Sequence, residues 1–339
     1  MTPIQTRALG RTSVEVSALS FGAAPIGNFR TSFTQSGAED MIRDAWESGI
    51  RYFDTAPSYG NGLSEHRVGH ALYGHDRADF TLSTKAGYVL RRRSHASVDA
   101  GLWVEPAPFE AAFDYSYEGV MRSVESSLDR LLTDHLDIVF MHDVDRYTHG
   151  AHQPEAFEEA VRKGFPALEK LRDEGVVRAI GFGVNEADVC AEAMRRVDVD
   201  CFLLAGRYTL LEQDPLDALL FNCAEQGIGI VLGGVYNSGI LATGAIPNAH
   251  FNYGPAPALI LEKTSRIEAV CTKYGVPLAA AALQFASAGP AVASICIGSR
   301  TPAQQQQTVD LLNTRIPPQL WAELRDLGLV RSDAPVPMA

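Results

Sequence analysis

Short apolar runs of strand type alternate along this chain with longer stretches in which apolar residues recur every three or four positions, the period of a helix with one buried face. The strand candidates are Ala18–Ala23, Tyr52–Thr55, Phe80–Lys85, Leu136–His142, Ala179–Gly183, Cys201–Ala205, Gly229–Leu232 and Ser294–Gly298. Between and after them the helical spacing predicts helices over Ala38–Ser48, Glu65–Tyr73, Glu118–Leu132, Ala156–Glu174, Ala187–Val197, Leu216–Gln226, Leu259–Tyr274 and Ala303–Asn313. Eight alternations are the count that closes a parallel sheet on itself, and runs such as Leu136–His142 are apolar enough for strands covered on both faces. Glycines 175, 227 and 275 follow three of the helices where a left-handed C-cap belongs.

The pattern therefore predicts an α/β fold, a single (β/α)8 TIM-type barrel spanning residues 1–339. Residues 1–16 read as an N-terminal hairpin, and helices are added at the C-terminus. Long loops follow the third strand, from Tyr88 to Phe113, and the seventh, from Gly234 to Pro257. Loops at the C-terminal ends of barrel strands build active sites, so both insertions are placed to hold substrate.

Composition narrows the function classes. With 29 Lys and Arg against 41 Asp and Glu the net charge is −12, and the one dense basic cluster is Arg91-Arg92-Arg93. Such a chain repels phosphate backbones and anionic lipid, which argues against nucleic-acid and membrane partners. No window holds eighteen uninterrupted apolar residues, and the start has no apolar core behind a basic end, so neither a membrane span nor a secretory signal is expected. Five widely spaced cysteines without a C-x-x-C pair fit a reducing cytoplasm rather than a disulfide framework or a zinc knuckle. No exposed apolar stripe demands a partner, leaving a monomer or a small homo-oligomer.

Four polar residues fall at or just after the ends of successive strand candidates: Asp54 and Tyr59, then Lys85, then His142. A lone tyrosine, with a pKa of about 10, is a poor proton acceptor at neutral pH, but a nearby ammonium favours its phenolate. The lysine needs a counter-charge among apolar walls, which Asp54 supplies, and a neutral histidine can orient a substrate oxygen. The set describes acid/base chemistry centred on tyrosine and needs no metal. His66 and His70 are four apart on a helix, but H-R-V-G-H lacks the glutamate of H-E-x-x-H and reads as surface. No phosphate-binding glycine motif of the Rossmann or P-loop type is present.

The segment YFDTAPSYGNGL at 52–63 with Ser64-Glu65, STKAG at 83–87, LDIVFMHDVD at 136–145 and IGFGVNE at 180–186 resembles the aldo-keto reductase superfamily. The resemblance implies Tyr59 as acid/base, Lys85 as the modifier of its pKa, Asp54 as the partner of that lysine and His142 as the residue orienting substrate. It also implies a nicotinamide nucleotide. CFLLAGRYTLLEQ at 201–213, NSGILATG at 237–244 and AAALQFASAGPAVAS at 280–294 are similar to the branch that oxidises free aldoses at C1. That branch includes L-fucose dehydrogenases, also called D-threo-aldose 1-dehydrogenases, lies close to L-galactose dehydrogenases, and is shared by pyridoxal 4-dehydrogenases. Each takes a hydride from a carbon that bears a hydroxyl in a cyclic hemiacetal and yields a lactone.

The implied cofactor residues are Gly22, Ala23, Asp54, Asn185, Gly233, Gly234, Asn237, Ser238, Gly239, Gly298, Ser299, Arg300, Gln304 and Thr308. Departures from the wider family sit here. The pair after the fifth strand is Val184-Asn185, the position after the sixth falls on Ala205, and glycine stands at Gly233-Gly234 where an aromatic ring often stacks on nicotinamide. Arg300 is the one cation in the stretch after the eighth strand, which favours NAD over NADP. For substrate, Tyr59 and His142 are joined by Trp103 and Ile26 as apolar walls and by Asn28, Asp143 and Tyr236 as binders of hydroxyls. Two other classes fit less well: a barrel hydrolase using Asp54 and Asp143 as paired carboxylates, whose neighbours are instead Lys and Tyr, and a binding protein that keeps cofactor without turnover.

Overall fold

In the computed structural model, residues 4–92 and 101–337 are described, and Arg93 of the basic cluster lies outside them. Eight parallel strands close into a barrel: β1 (Leu19–Gly22), β2 (Tyr52–Asp54), β3 (Thr81–Ala86), β4 (Leu136–His142), β5 (Val177–Val184), β6 (Cys201–Ala205), β7 (Gly229–Gly233) and β8 (Val292–Ile297). Each pairs with the next, and β8 returns to β1 through Cys296 against Ser20. The two strands expected at Leu136–His142 and Cys201–Ala205 have those bounds, and the others differ by one to three residues at their ends.

Alternation along the strands builds two cores. Inward positions Tyr52, Ile138, Phe140, Ala179, Cys201, Leu203, Val231 and Ala293 fill the barrel, which Leu9, Val14 and Val16 of the N-terminal hairpin plug from below. That hairpin pairs Thr6–Ala8 with Glu15–Ser17. Outward positions such as Phe53, Leu82, Val139, Ile180 and Phe202 pack against the helices. Both layers leave the upper rim to polar residues. The expected left-handed caps form, with φ of 75°, 68° and 67° at Gly175, Gly227 and Gly275.

Three regions differ from the sequence pattern. The helix expected at Ala156–Glu174 is broken: Gln153–Glu159 and Phe165–Asp173 flank a π-helical turn at Ala160–Gly164. Pro166 has no N–H to give the carbonyl four residues back and its ring crowds that turn, so the ladder widens there. The connection after β3 contains an antiparallel pair, Tyr88–Arg92 with Phe109–Phe113, in place of an unpaired loop. The helix expected at Leu216–Gln226 shortens to Leu220–Gln226 behind a 3-10 turn at Asp214–Leu216 that starts around Pro215. At the C-terminus the helix Pro318–Asp326 buries Leu320, Trp321 and Leu324, and Gln213 ties the following segment down by donating to the Leu329 carbonyl at 3.2 Å.

Candidate active site

The D-T-x-x-x-Y-G segment folds as it does because each polar residue has a partner. Asp54 ends β2 and Ser83 lies beside it in register on β3, with Lys85 two residues on along the same face. The Lys85 ammonium donates to Asp54 Oδ2 at 2.8 Å and to the Thr55 carbonyl at 2.7 Å. Thr55 Oγ1 and Ser64 Oγ are 2.9 Å apart, and Ser64 Oγ donates to the Ala23 carbonyl, tying β1 to β2. Glu65, fully buried, accepts from Thr84 Oγ1 at 2.6 Å and from Arg130 Nε at 2.7 Å. Gly60 takes φ of +61°, and a β-carbon there would lie 2.2 Å from the Gly27 carbonyl oxygen, so only glycine lets the Tyr59 turn press against the β1 loop.

This scaffold sets the Tyr59 ring 4.7 Å from the Lys85 ammonium, with the His142 ring centroid at 6.1 Å and that of Trp103 at 5.6 Å. The four residues expected to act together meet at the C-terminal rim. Their electrostatics correct one expectation. Burial raises the Tyr59 pKa above the ordinary phenol range; Lys85 pulls it down but does not prevail in the protein alone. Burial also weakens the Lys85 ammonium, but the Asp54 carboxylate foremost, together with Tyr59, offsets this, so the amine is held above the usual lysine range. His142 is pushed well below its range, by burial first and by Lys85 second, which keeps the imidazole neutral. Its Nδ1 is buried without a partner.

Beside it, Asp143 has φ of 56°, accepts from Tyr88 OH at 2.9 Å and places Oδ1 3.4 Å from His142 Nε2. Burial and the neighbouring Asp145 push its pKa up to about 7, against the Tyr88 hydrogen bond and Lys85. Tyr115 OH donates to the His142 carbonyl at 2.8 Å, and Gly87, at φ of +110°, leaves the space its ring fills. Tyr88 and Phe113 come from the hairpin after β3, and with Trp103 this insertion brings aromatic rings against His142 and Tyr59.

A cleft of about 750 Å³ runs from this rim across β8. It is lined by Gly234, Ser238, Gly239, Gly298, Ser299, Arg300 and Gln304 of the expected cofactor set. Gly298 packs so close to Pro25 that a β-carbon would come within 2.8 Å of its Cγ. Tyr236, expected beside the substrate, instead lines this cleft, its hydroxyl buried without a partner and raised to about 12 by burial.

The remaining expected residues sit elsewhere or are engaged. Thr308 is turned into its own helix, donating to the Gln304 carbonyl, and is not part of the cleft. Asn237 bridges loops by donating to Glu212 and to the Gly206 carbonyl. Gly22 lies against Cys296 Sγ, and the Ala23 amide and carbonyl are taken by Asp54 and Ser64, so they shape the rim without offering polar groups. Gly233 ends β7 opposite Ala205. Asn28 accepts from Arg67 at 2.7 Å and from the Phe33 amide at 2.9 Å, which makes it a loop brace rather than a binder of hydroxyls. Ile26 is fully buried beneath it. His70 pairs with Glu39 on the surface, and no group of three or more His, Cys, Asp or Glu among the described residues is placed to hold a metal.

Asn185 is held from below. Asp145 accepts from its backbone N–H at 2.6 Å and its side-chain Nδ2 at 3.2 Å, while Arg207 Nε donates to its carbonyl at 2.6 Å. Asp145 stands in the quoted LDIVFMHDVD stretch, where its buried position next to β5 is not visible from spacing. Also unforeseen are Phe29, Arg30, His250 and Tyr253, which line the cleft from the β1 and β7 loops. The orphaned Tyr236 hydroxyl, the glycine floor and two arginines that pair with no acid among the described residues, Arg30 and Arg300, fit an elongated, polar and anionic group such as a dinucleotide.

Residues 18–328 match the model of the Aldo/keto reductase family. A pyridoxal 4-dehydrogenase of Microbacterium luteolum is 40% identical, over 96% of this chain and 98% of that protein. A D-threo-aldose 1-dehydrogenase of a Pseudomonas species is 38% identical, over 95% and 97%. Among solved structures, an aldo-keto reductase from Bacillus halodurans in its holo form superposes with a TM-score of 0.74 at 25% identity, covering 96% of each chain.

Proposed function

The chain belongs to the aldo/keto reductase family, an oxidoreductase acting on CH–OH groups, and from that premise we propose that it oxidises a free aldose at C1 to the lactone with NAD. Aldo/keto reductases use nicotinamide cofactors, and the bound nucleotide supplies the hydride acceptor. Tyr59 takes the proton of the anomeric hydroxyl, Lys85 steadies the resulting phenolate, Asp54 keeps that lysine an ammonium, and neutral His142 holds the reacting oxygen. The carrying observation is the Lys85 ammonium, fixed between Asp54 and the Thr55 carbonyl directly beside the Tyr59 ring. Sugars of the L-fucose, L-galactose and D-arabinose type suit the mouth because Asp143 offers a partly exposed acceptor for a ring hydroxyl and Trp103 an apolar face for the ring.

Cofactor contacts are assigned to Asn185 for the nicotinamide amide, to Gly234, Tyr236, Ser238 and Gly239 along the middle of the cleft, and to Gly298, Ser299, Arg300 and Gln304 at the adenosine end. A single guanidinium in that last stretch favours NAD over NADP. Five free cysteines support action in a reducing cytoplasm, and no helix among the described residues is long and apolar enough to cross a membrane. The 40% identity to a pyridoxal 4-dehydrogenase favours a second reading, oxidation of pyridoxal to its lactone. Absorbance of reduced nicotinamide separates the two when NAD and NADP are each crossed with L-fucose, L-galactose, D-arabinose and pyridoxal. Turnover of the sugars with NAD supports the first reading, and turnover of pyridoxal alone replaces it with the second.

A further inference from the structure

The lysine that steadies Tyr59 depends on Asp54, and the second oxygen of that carboxylate is held by a pair of residues from inside the barrel. Ser83 Oγ donates to Asp54 Oδ1 at 2.6 Å, and Tyr52 OH donates to Ser83 Oγ at 3.0 Å. Tyr52 and Ser83 are each completely buried. Register explains the contact. Tyr52 faces Thr81 and Asp54 faces Ser83 across the β2–β3 ladder, so 52, 54, 83 and 85 all point inward on neighbouring strands. One direction of donation runs through the chain, from Tyr52 to Ser83 to Asp54, while Lys85 donates to the other carboxylate oxygen.

We propose that Ser83 and Tyr52 are positioning residues of the acid/base machinery, which hold the negative charge on Asp54 and so set the pH range in which Tyr59 accepts a proton. In a dry interior a carboxylate oxygen without a donor binds protons more strongly. With Ser83 silent, the carboxylate loses the donor on Oδ1, the Lys85–Asp54 ion pair is less favoured over its uncharged form, positive charge beside the Tyr59 ring falls, and the phenolate is less favoured. Tyr52 acts one bond further out. Its phenol fixes the Ser83 hydroxyl so that the hydrogen points at Asp54 and not at a strand carbonyl. Hydrogen bonds polarised in series strengthen each other, so its loss weakens the same contact by a smaller amount.

The test compares Ser83→Ala and Tyr52→Phe with the wild type by the pH profile of alcohol oxidation. The inference rests on the Tyr59-centred reading and not on the sugar, so the profile is recorded with whichever alcohol the wild type oxidises. A failed aldose reading then changes only the substrate used. The acidic limb of kcat is expected to move to higher pH by about one unit in Ser83→Ala, a tenfold rate loss on the limb, and less in Tyr52→Phe. NADH fluorescence quenching and the melting temperature check that both variants fold and bind nucleotide. A uniform fall in rate at every pH, with the limb unmoved, would mean that the pair is only structural and would overturn the proposal. So would profiles that coincide with the wild type, or a limb that moves to lower pH.

Discussion

At the residue scale the two acids of the rim are set apart by their donors. Asp54 receives a serine hydroxyl and a lysine ammonium, whereas Asp143, its pKa pushed up to about 7, has Tyr88 and the weakly placed His142 edge. Above that pH Asp143 is a carboxylate with acceptor capacity on both oxygens; below it one oxygen carries a proton. If a sugar hydroxyl donates to it, KM for an aldose rises as pH falls through about 7, with kcat governed separately by Tyr59. Asp143→Asn should give a KM raised several-fold and flat across this range, because the amide does not titrate. Steady-state kinetics from slightly acidic to slightly alkaline pH check this, and a KM in the variant that still follows pH would remove Asp143 from substrate binding.

At the element scale the polar residues around the D-T-x-x-x-Y-G turn work as fasteners between strands and helices. Glu65 on the helix Leu63–Leu72 joins Thr84 of β3 to Arg130 of the helix Tyr117–Leu131, in a setting where its own side chain is fully buried and that of Arg130 is 11% exposed. Removing one partner of such a pair leaves a charge with no counter-ion. Glu65→Ala is therefore expected to cost about 3–5 kcal/mol, read from chemical denaturation, while a loss below about 1 kcal/mol would show the pair to be incidental. This scale also shows what the chain made legible. Two strands with near-continuous apolar runs, Leu136–His142 and Cys201–Ala205, were readable to the residue, and Asp54, Tyr59, Lys85 and His142 were readable because each ends or follows a strand run. The π turn before Phe165 was not, since it comes from one proline inside an otherwise helical period. Nor were the Tyr52–Ser83 contact and the Asp145 brace under Asn185. Both depend on ladder register or on the packing of one strand end beside the next, which the order of residues along one strand does not specify.

At the scale of the whole molecule, a barrel of net charge −12 presents a cleft lined by Arg30 and Arg300, neither of which pairs with an acid among the described residues, on the loops that follow the neighbouring strands β1 and β8. The overall field opposes an anionic cofactor and the two arginines of the cleft favour it locally, which concentrates the attraction for such a group at that cleft. Plugging by the N-terminal hairpin and bracing by the C-terminal helix leave the upper rim as the face where the long loops, the cleft and the acid/base residues meet. The claim on which the account turns is that Tyr59 carries the proton. It is tested most directly by measuring NAD reduction with an oxidisable aldose in Tyr59→Phe, alongside NADH fluorescence quenching. The account predicts a rate lower by about 10²–10⁴-fold with nucleotide affinity within a factor of a few of the wild type; turnover close to the wild type in that variant would contradict it.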